Sequence, residues 1–283
     1  MTLVLALAAS LMWGTSDFFG GSASRRIGTA NVLFWSQLFS LPFVVGVFVV
    51  GQGWHSSMAA VGWAVAAGAA GIIGLGALYK ALALGHMSIV APVSACGAVG
   101  PVVVGLVRGE TASAPLMIGI GCVLVGLVAC ARPPSADEPG ETPTWRPVLL
   151  AIVAAIAFGG VLVCLADAGR GSASMSVLVM RLTSLTLISG AALIKGGLAS
   201  PQRSVNPSLV AIGIFDFAAN GCYAIAGRAG ALPIIGVLGS LYPAVTILLA
   251  RRIDGERLGG TRGFGVIVTL TGVAFIGATQ VTT

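Results

Sequence analysis

Charge is what this chain has least of. Asp, Glu, Lys and Arg make up 8% of its 283 residues, against about 25% in soluble domains. Histidine is nearly missing: His55 and His86 are the only two, and both fall between apolar runs. The His/Asp/Glu cluster that a metal or acid–base site draws on is therefore not available. No H-E-x-x-H, G-x-S-x-G or P-loop pattern occurs, which argues against the usual hydrolases and against an ATP-driven pump. The five cysteines, Cys96, Cys122, Cys130, Cys164 and Cys222, make no C-x-x-C pair and read as small packing residues. No metal and no cofactor is expected. The net charge of +6 comes from basic residues at the edges of apolar runs. A basic face interleaved with aromatics is absent, so nucleic acid is not an expected partner.

Hydrophobic residues are what is there, at 57% of the chain. Apolar runs fall at 2–22, 29–51, 59–84, 88–107, 112–131, 147–167, 176–196, 208–228, 231–251 and 262–280. Each is near the roughly 20 residues that cross a hydrocarbon core. No basic stretch precedes the first run, so it is expected to be retained as a span rather than removed. Arg25-Arg26 is expected to end it. The longest polar stretch, Arg132 to Arg146, holds four prolines and three acids and reads as an extended linker. The expected surroundings are a lipid bilayer, with a bacterial-type inner membrane as the location.

The chain also repeats itself. Trp13-Gly14 returns as Phe158-Gly159, 145 residues on, and Gly109-Glu110 returns as Gly255-Glu256, 146 residues on. Tyr79 corresponds to Tyr223, and Gly119 and Gly126 correspond to Gly265 and Gly272. Five runs per copy is an odd number, so the second copy enters the membrane from the opposite side. The expected fold is an all-α membrane protein of ten transmembrane helices in two inverted five-helix repeats, 2–131 and 147–280, joined by the linker 132–146.

Ionisable groups inside a span are costly and mark candidate sites. Asp17, Lys80 and Asp216 are expected in one half of the bilayer. Asp17 and Lys80 can pair; alternatively Lys80 snorkels to the interface. Asp216, Asn220 and Tyr223 lie near one helical face and form a candidate polar stripe along a cavity. Asp167 and Arg181 read as a structural ion pair. Trp13 and Phe158, at repeat-related places near mid-membrane, read as an aromatic cavity wall or as helix packing. Ser94, Ser240, Tyr242 and Tyr79 complete the binding candidates. Pro92 and Pro243 remove backbone hydrogen bonds and are hinge candidates. Glu110 and Glu256, beside their glycines, are cap or gate candidates.

Taken in order, these motifs resemble the EamA group of the drug/metabolite transporter superfamily. Those carrying the likeness are Ala9 to Phe18, Ala77-Leu78-Tyr79-Lys80-Ala81-Leu82, Ala91-Pro92-Val93 and Leu241-Tyr242-Pro243, with the paired Gly-Glu and glycines above. The size and two-copy layout are similar to those of the YddG-type amino-acid exporters. The resemblance implies a central cavity lined by spans 1, 3, 4, 6, 8 and 9 and the transport of small metabolites. One departure stands out: the family's arginine near the start of the second span of each repeat survives only as Arg181, with Ser36 in the other place. The expectation is a secondary transporter exporting amino acids, aromatic or otherwise apolar, with a coupling proton as a candidate second partner and a monomer as the working state. The alternatives are an exporter of cationic drugs, a passive channel and a membrane-embedded enzyme.

Overall fold

A computed structural model of the chain describes residues 2–51, 56–85, 87–109, 114–130, 145–194, 197–198, 206–228, 232–239, 241–255 and 260–279. Among these residues every regular element is helical. The order is α1 (Thr2–Ile27), α2 (Thr29–Val50), α3 (Met58–Leu84), α4 (Met87–Ala95), a 3₁₀ turn (Cys96–Ala98), α5 (Val99–Val107), α6 (Ala114–Cys130), α7 (Arg146–Gly171), α8 (Ala173–Ile194), α9 (Asn206–Ala226), α10 (Leu232–Gly239), α11 (Tyr242–Leu249), a π turn (Ala250–Asp254) and α12 (Gly260–Thr279). Seven segments among the described residues are long and apolar enough to cross a bilayer. At 1.5 Å per residue, the 26 residues of α1 extend about 39 Å.

The helices start and stop for local reasons. Ser57 caps α3 by accepting a hydrogen bond from the Ala60 amide at 3.2 Å. Gly109 and Gly255 take φ of +91° and +69°, which a residue with a Cβ adopts only under strain. That explains the glycine of the doubled Gly-Glu: it turns the chain after α5 and after the π turn. Arg25-Arg26 stands in the last turn of α1, where the sequence places the end of that run. The helix runs on to Ile27 because Arg25 folds back, its Nε and Nη2 donating to the Leu82 carbonyl oxygen at 3.3 and 3.1 Å.

Two expected spans are interrupted. The run 88–107 is divided by the 3₁₀ turn, four residues after Pro92. The run 231–251 restarts at Tyr242. Pro243 therefore sits in the first turn of α11, where its missing N–H leaves no bond unmade, rather than inside a helix as expected.

Packing exchanges partners between the two halves. Helix α3 lies along α7 and α1 along α9; α1 also meets α11, α4 meets α7, and α6 pairs with α12. Lipid offers apolar surface as readily as a neighbouring helix does, so close contact depends on small residues and buried hydrogen bonds. A Cβ at Gly68 of α3 would stand 2.7 Å from the Met180 carbonyl oxygen of α8, and one at Gly213 of α9 would collide with the Ser36 carbonyl oxygen of α2. These two glycines are 145 residues apart, the repeat offset itself. Serines bond nearby: Ser184 Oγ of α8 donates to the Gly68 carbonyl at 3.0 Å across the same crossing, and Ser16 Oγ of α1 donates to the Ile212 carbonyl of α9 at 3.1 Å across the α1–α9 contact. The core forms two clusters, one around Phe18, Leu78, Tyr79 and Leu82, the other around Leu165, Tyr223 and Ile235. Val50, Ile156 and Ile194 point outward, fully exposed or nearly so.

Candidate functional site

Between the helices lies an open cavity of about 780 Å³, its mouth included. Its residues arrive at helical spacing. Trp13 and Asp17 are one turn apart on α1, Asp216 and Asn220 one turn apart on α9, and Phe158, Val161 and Leu162 share a face of α7. The 3₁₀ turn brings Gly97 and Ala98 to the wall, and the start of α11 brings Tyr242.

One ion pair stands in the wall. Arg181 Nη2 of α8 donates to Asp216 Oδ2 at 2.7 Å, with 5% and 14% of the two side chains exposed. Asn220 Nδ2 donates to the Asp216 backbone carbonyl at 2.7 Å, holding the start of that turn. The pairing corrects two expectations. Arg181 does not pair with Asp167, because its side chain turns inward to the cavity. Asp167 instead takes a two-point contact from Arg108, at 3.1 and 2.6 Å, with Arg170 at 3.8 Å. Asp17 does not pair with Lys80 either: Lys80 is exposed on α3, whereas Asp17 is buried on α1. Among the described residues Asp17 makes no hydrogen bond and no ion pair, yet it lines the cavity.

The aromatic residues of the wall make two separate contacts. Trp13 packs on Tyr223 with ring centroids 5.4 Å apart, and Phe158 meets Tyr242 edge-on at 6.4 Å. Ser94 Oγ donates to the Ala91 carbonyl at 2.7 Å, so Tyr242 is the donor in its 2.7 Å bond to Ser94. Tyr79 and Tyr223 are fully buried behind the wall and do not line it. Tyr79 bonds Ser16 at 3.3 Å, whereas the Tyr223 hydroxyl has no partner. Pro92 is buried within α4. Ser240, Glu110 and Glu256 lie outside the described residues.

Sequence reading placed Trp13, Asp17, Ser94, Phe158, Asp216, Asn220 and Tyr242 as cavity candidates, and the structure brings these seven together. It missed Gln37 of α2 and the α8 face of Val177, Met180, Arg181 and Ser184. A glutamine in the apolar run 29–51 was a visible signal, since a primary amide there needs partners.

Compared with models of protein families, the chain matches the EamA-like transporter family over residues 1–131 and 145–278. Among solved structures, 28 chains match. One protein known from a crystal structure is 18% identical, with 99% of this chain and 96% of that chain aligned and a TM-score of 0.69. At that identity the likeness is one of fold. No curated protein matches.

Proposed function

The chain belongs to the EamA-like transporter family, and from that premise we propose that it carries small organic molecules with an ammonium group and an apolar body, by alternating access through the central cavity. It is a multi-pass integral membrane protein and a transporter of small molecules; members of its family are not enzymes. Apolar and aromatic amino acids, moved outward, are the first substrates to try, in keeping with the YddG-like size and layout. The carrying observation is the Asp17 carboxylate, unpaired among the described residues, in a cavity walled by Trp13, Phe158 and Tyr242. A buried carboxylate without a partner is costly, and a cationic group on a substrate supplies what is missing.

Ten spans in two inverted five-helix repeats are part of the proposal. The exchanged packing of α1 on α9 and α3 on α7 supports it, as do the repeat-related contacts at Gly68 and Gly213. An inverted repeat lets the two halves trade conformations, opening the same cavity to one side and then the other.

Reconstitution tests this reading. Trp13→Ala and Asn220→Ala are expected to raise the half-saturating concentration for uptake into proteoliposomes about tenfold, the equivalent of one good aromatic or polar contact. Both proteins should still elute as monodisperse species. Unchanged flux in both variants would remove the cavity from the transport path. A second reading, export of cationic compounds, is favoured by the commitment of Arg181 to Asp216, which leaves no unpaired cation among the described residues of the wall.

A further inference from the structure

The polar atoms of the cavity are unequally used. Three hydroxyls line it among the described residues, and each proton is already placed: Ser94 donates to Ala91, Tyr242 to Ser94, and Ser184 to Gly68. Arg181 is held by Asp216, with its Nε buried and without a partner. Unused acceptors remain, Asn220 Oδ1 among them, and two stand on α1 and α2. One is the Asp17 carboxylate. The other is Gln37 Oε1, on a side chain only 3% exposed, which no donor reaches.

We infer that the cavity selects primary amines that lack a carboxylate, with Asp17 and Gln37 together receiving the ammonium N–H groups and Trp13 and Phe158 holding the apolar body. This rests on the transporter reading above and departs from it on one point, placing amines ahead of amino acids as substrates. A primary ammonium has three donors, enough for both acceptors. A quaternary ammonium satisfies the charge of Asp17 and leaves Gln37 unmet. A zwitterion brings a carboxylate into a wall whose hydroxyl protons are used and whose guanidinium is already neutralised.

The test is competition against labelled 2-phenylethylamine, with the full-length protein in proteoliposomes. The competitors are unlabelled 2-phenylethylamine, its N,N,N-trimethyl analogue and phenylalanine. The amine should compete best, with the other two weaker by about tenfold, the usual effect of one hydrogen bond to a charged group. Gln37→Leu should bring the amine and its trimethyl analogue within about twofold of each other, since the bond that separates them is gone. Asp17→Asn should weaken both cations by about tenfold or more while Gln37→Leu leaves the trimethyl analogue unchanged. Stronger competition by phenylalanine overturns the inference and leaves the transporter reading intact. Equal loss of both cations in Gln37→Leu also overturns it. Absence of saturable, protein-dependent uptake for every compound overturns both readings together.

Discussion

Arg181 and Asp216 show how one residue pair fixes a wall. The contact is single-point, Nη2 to Oδ2, with Arg181 Nε left without a partner. Removing one member of a buried pair strands the other, at a cost of about 3–5 kcal/mol, whereas replacing both by apolar groups is often neutral. Arg181→Met should therefore lower the thermal midpoint in detergent more than the double change Arg181→Met with Asp216→Leu. A lower midpoint for the double variant would mean that the pair contributes net stability. Residue identities in this site were readable from sequence, because a carboxylate or an indole in an apolar run has few roles. Their partners were not. Asp17 with Lys80 and Asp167 with Arg181 were reasonable by depth. Pairing, however, depends on which way each helix is turned, and the outward-facing Lys80 and inward-facing Arg181 differ in that respect alone.

At the scale of the helix, close approach is bought with glycine at repeated places. Gly68 admits the Met180 backbone of α8, and Gly213 admits the Ser36 backbone of α2. A side chain at either site forces two helices apart, and at Gly68 it also breaks the Ser184 bond that spans the same crossing. Gly68→Val and Gly213→Val should each destabilise the protein by about 2 kcal/mol or more, a typical overpacking effect. Thermal unfolding in detergent measures it; a midpoint unchanged in both would show that these crossings are loosely packed. Much of the element pattern was legible, since length and hydropathy locate an apolar helix well. The interruptions were less so. Pro92 marked the neighbourhood of the break in 88–107, but the 3₁₀ turn falls at Cys96–Ala98. Arg25-Arg26 marked the last turn of α1, but the carbonyls that Arg25 reaches, those of Leu82 and Gly85, lie far away in sequence.

Across the whole molecule, the bonds that join helix ends follow the same exchange as the packing. Arg25 joins α1 to Asp254 in the π turn at 3.5 Å, and Arg108, after α5, joins Asp167 of α7. These are related places in the two copies, and in the inverted reading they lie at opposite membrane faces. The duplicated frame was legible in the offsets of its glycines. The cavity contents were not, because α2 and α8 add Gln37 and Arg181, which the repeat does not share: Ser36 stands where Arg181 has its counterpart. In the proposed alternating-access cycle such a carrier exposes its site to one side at a time, so outward and inward movements are linked through the same protein molecule. The direct measurement is counterflow: proteoliposomes preloaded with unlabelled 2-phenylethylamine are diluted into a trace of labelled compound. Transient accumulation of label above the outside concentration, lost in Asp17→Asn, is the expected result. Simple equilibration without overshoot, at a rate that never saturates, would contradict alternating access and indicate an open channel.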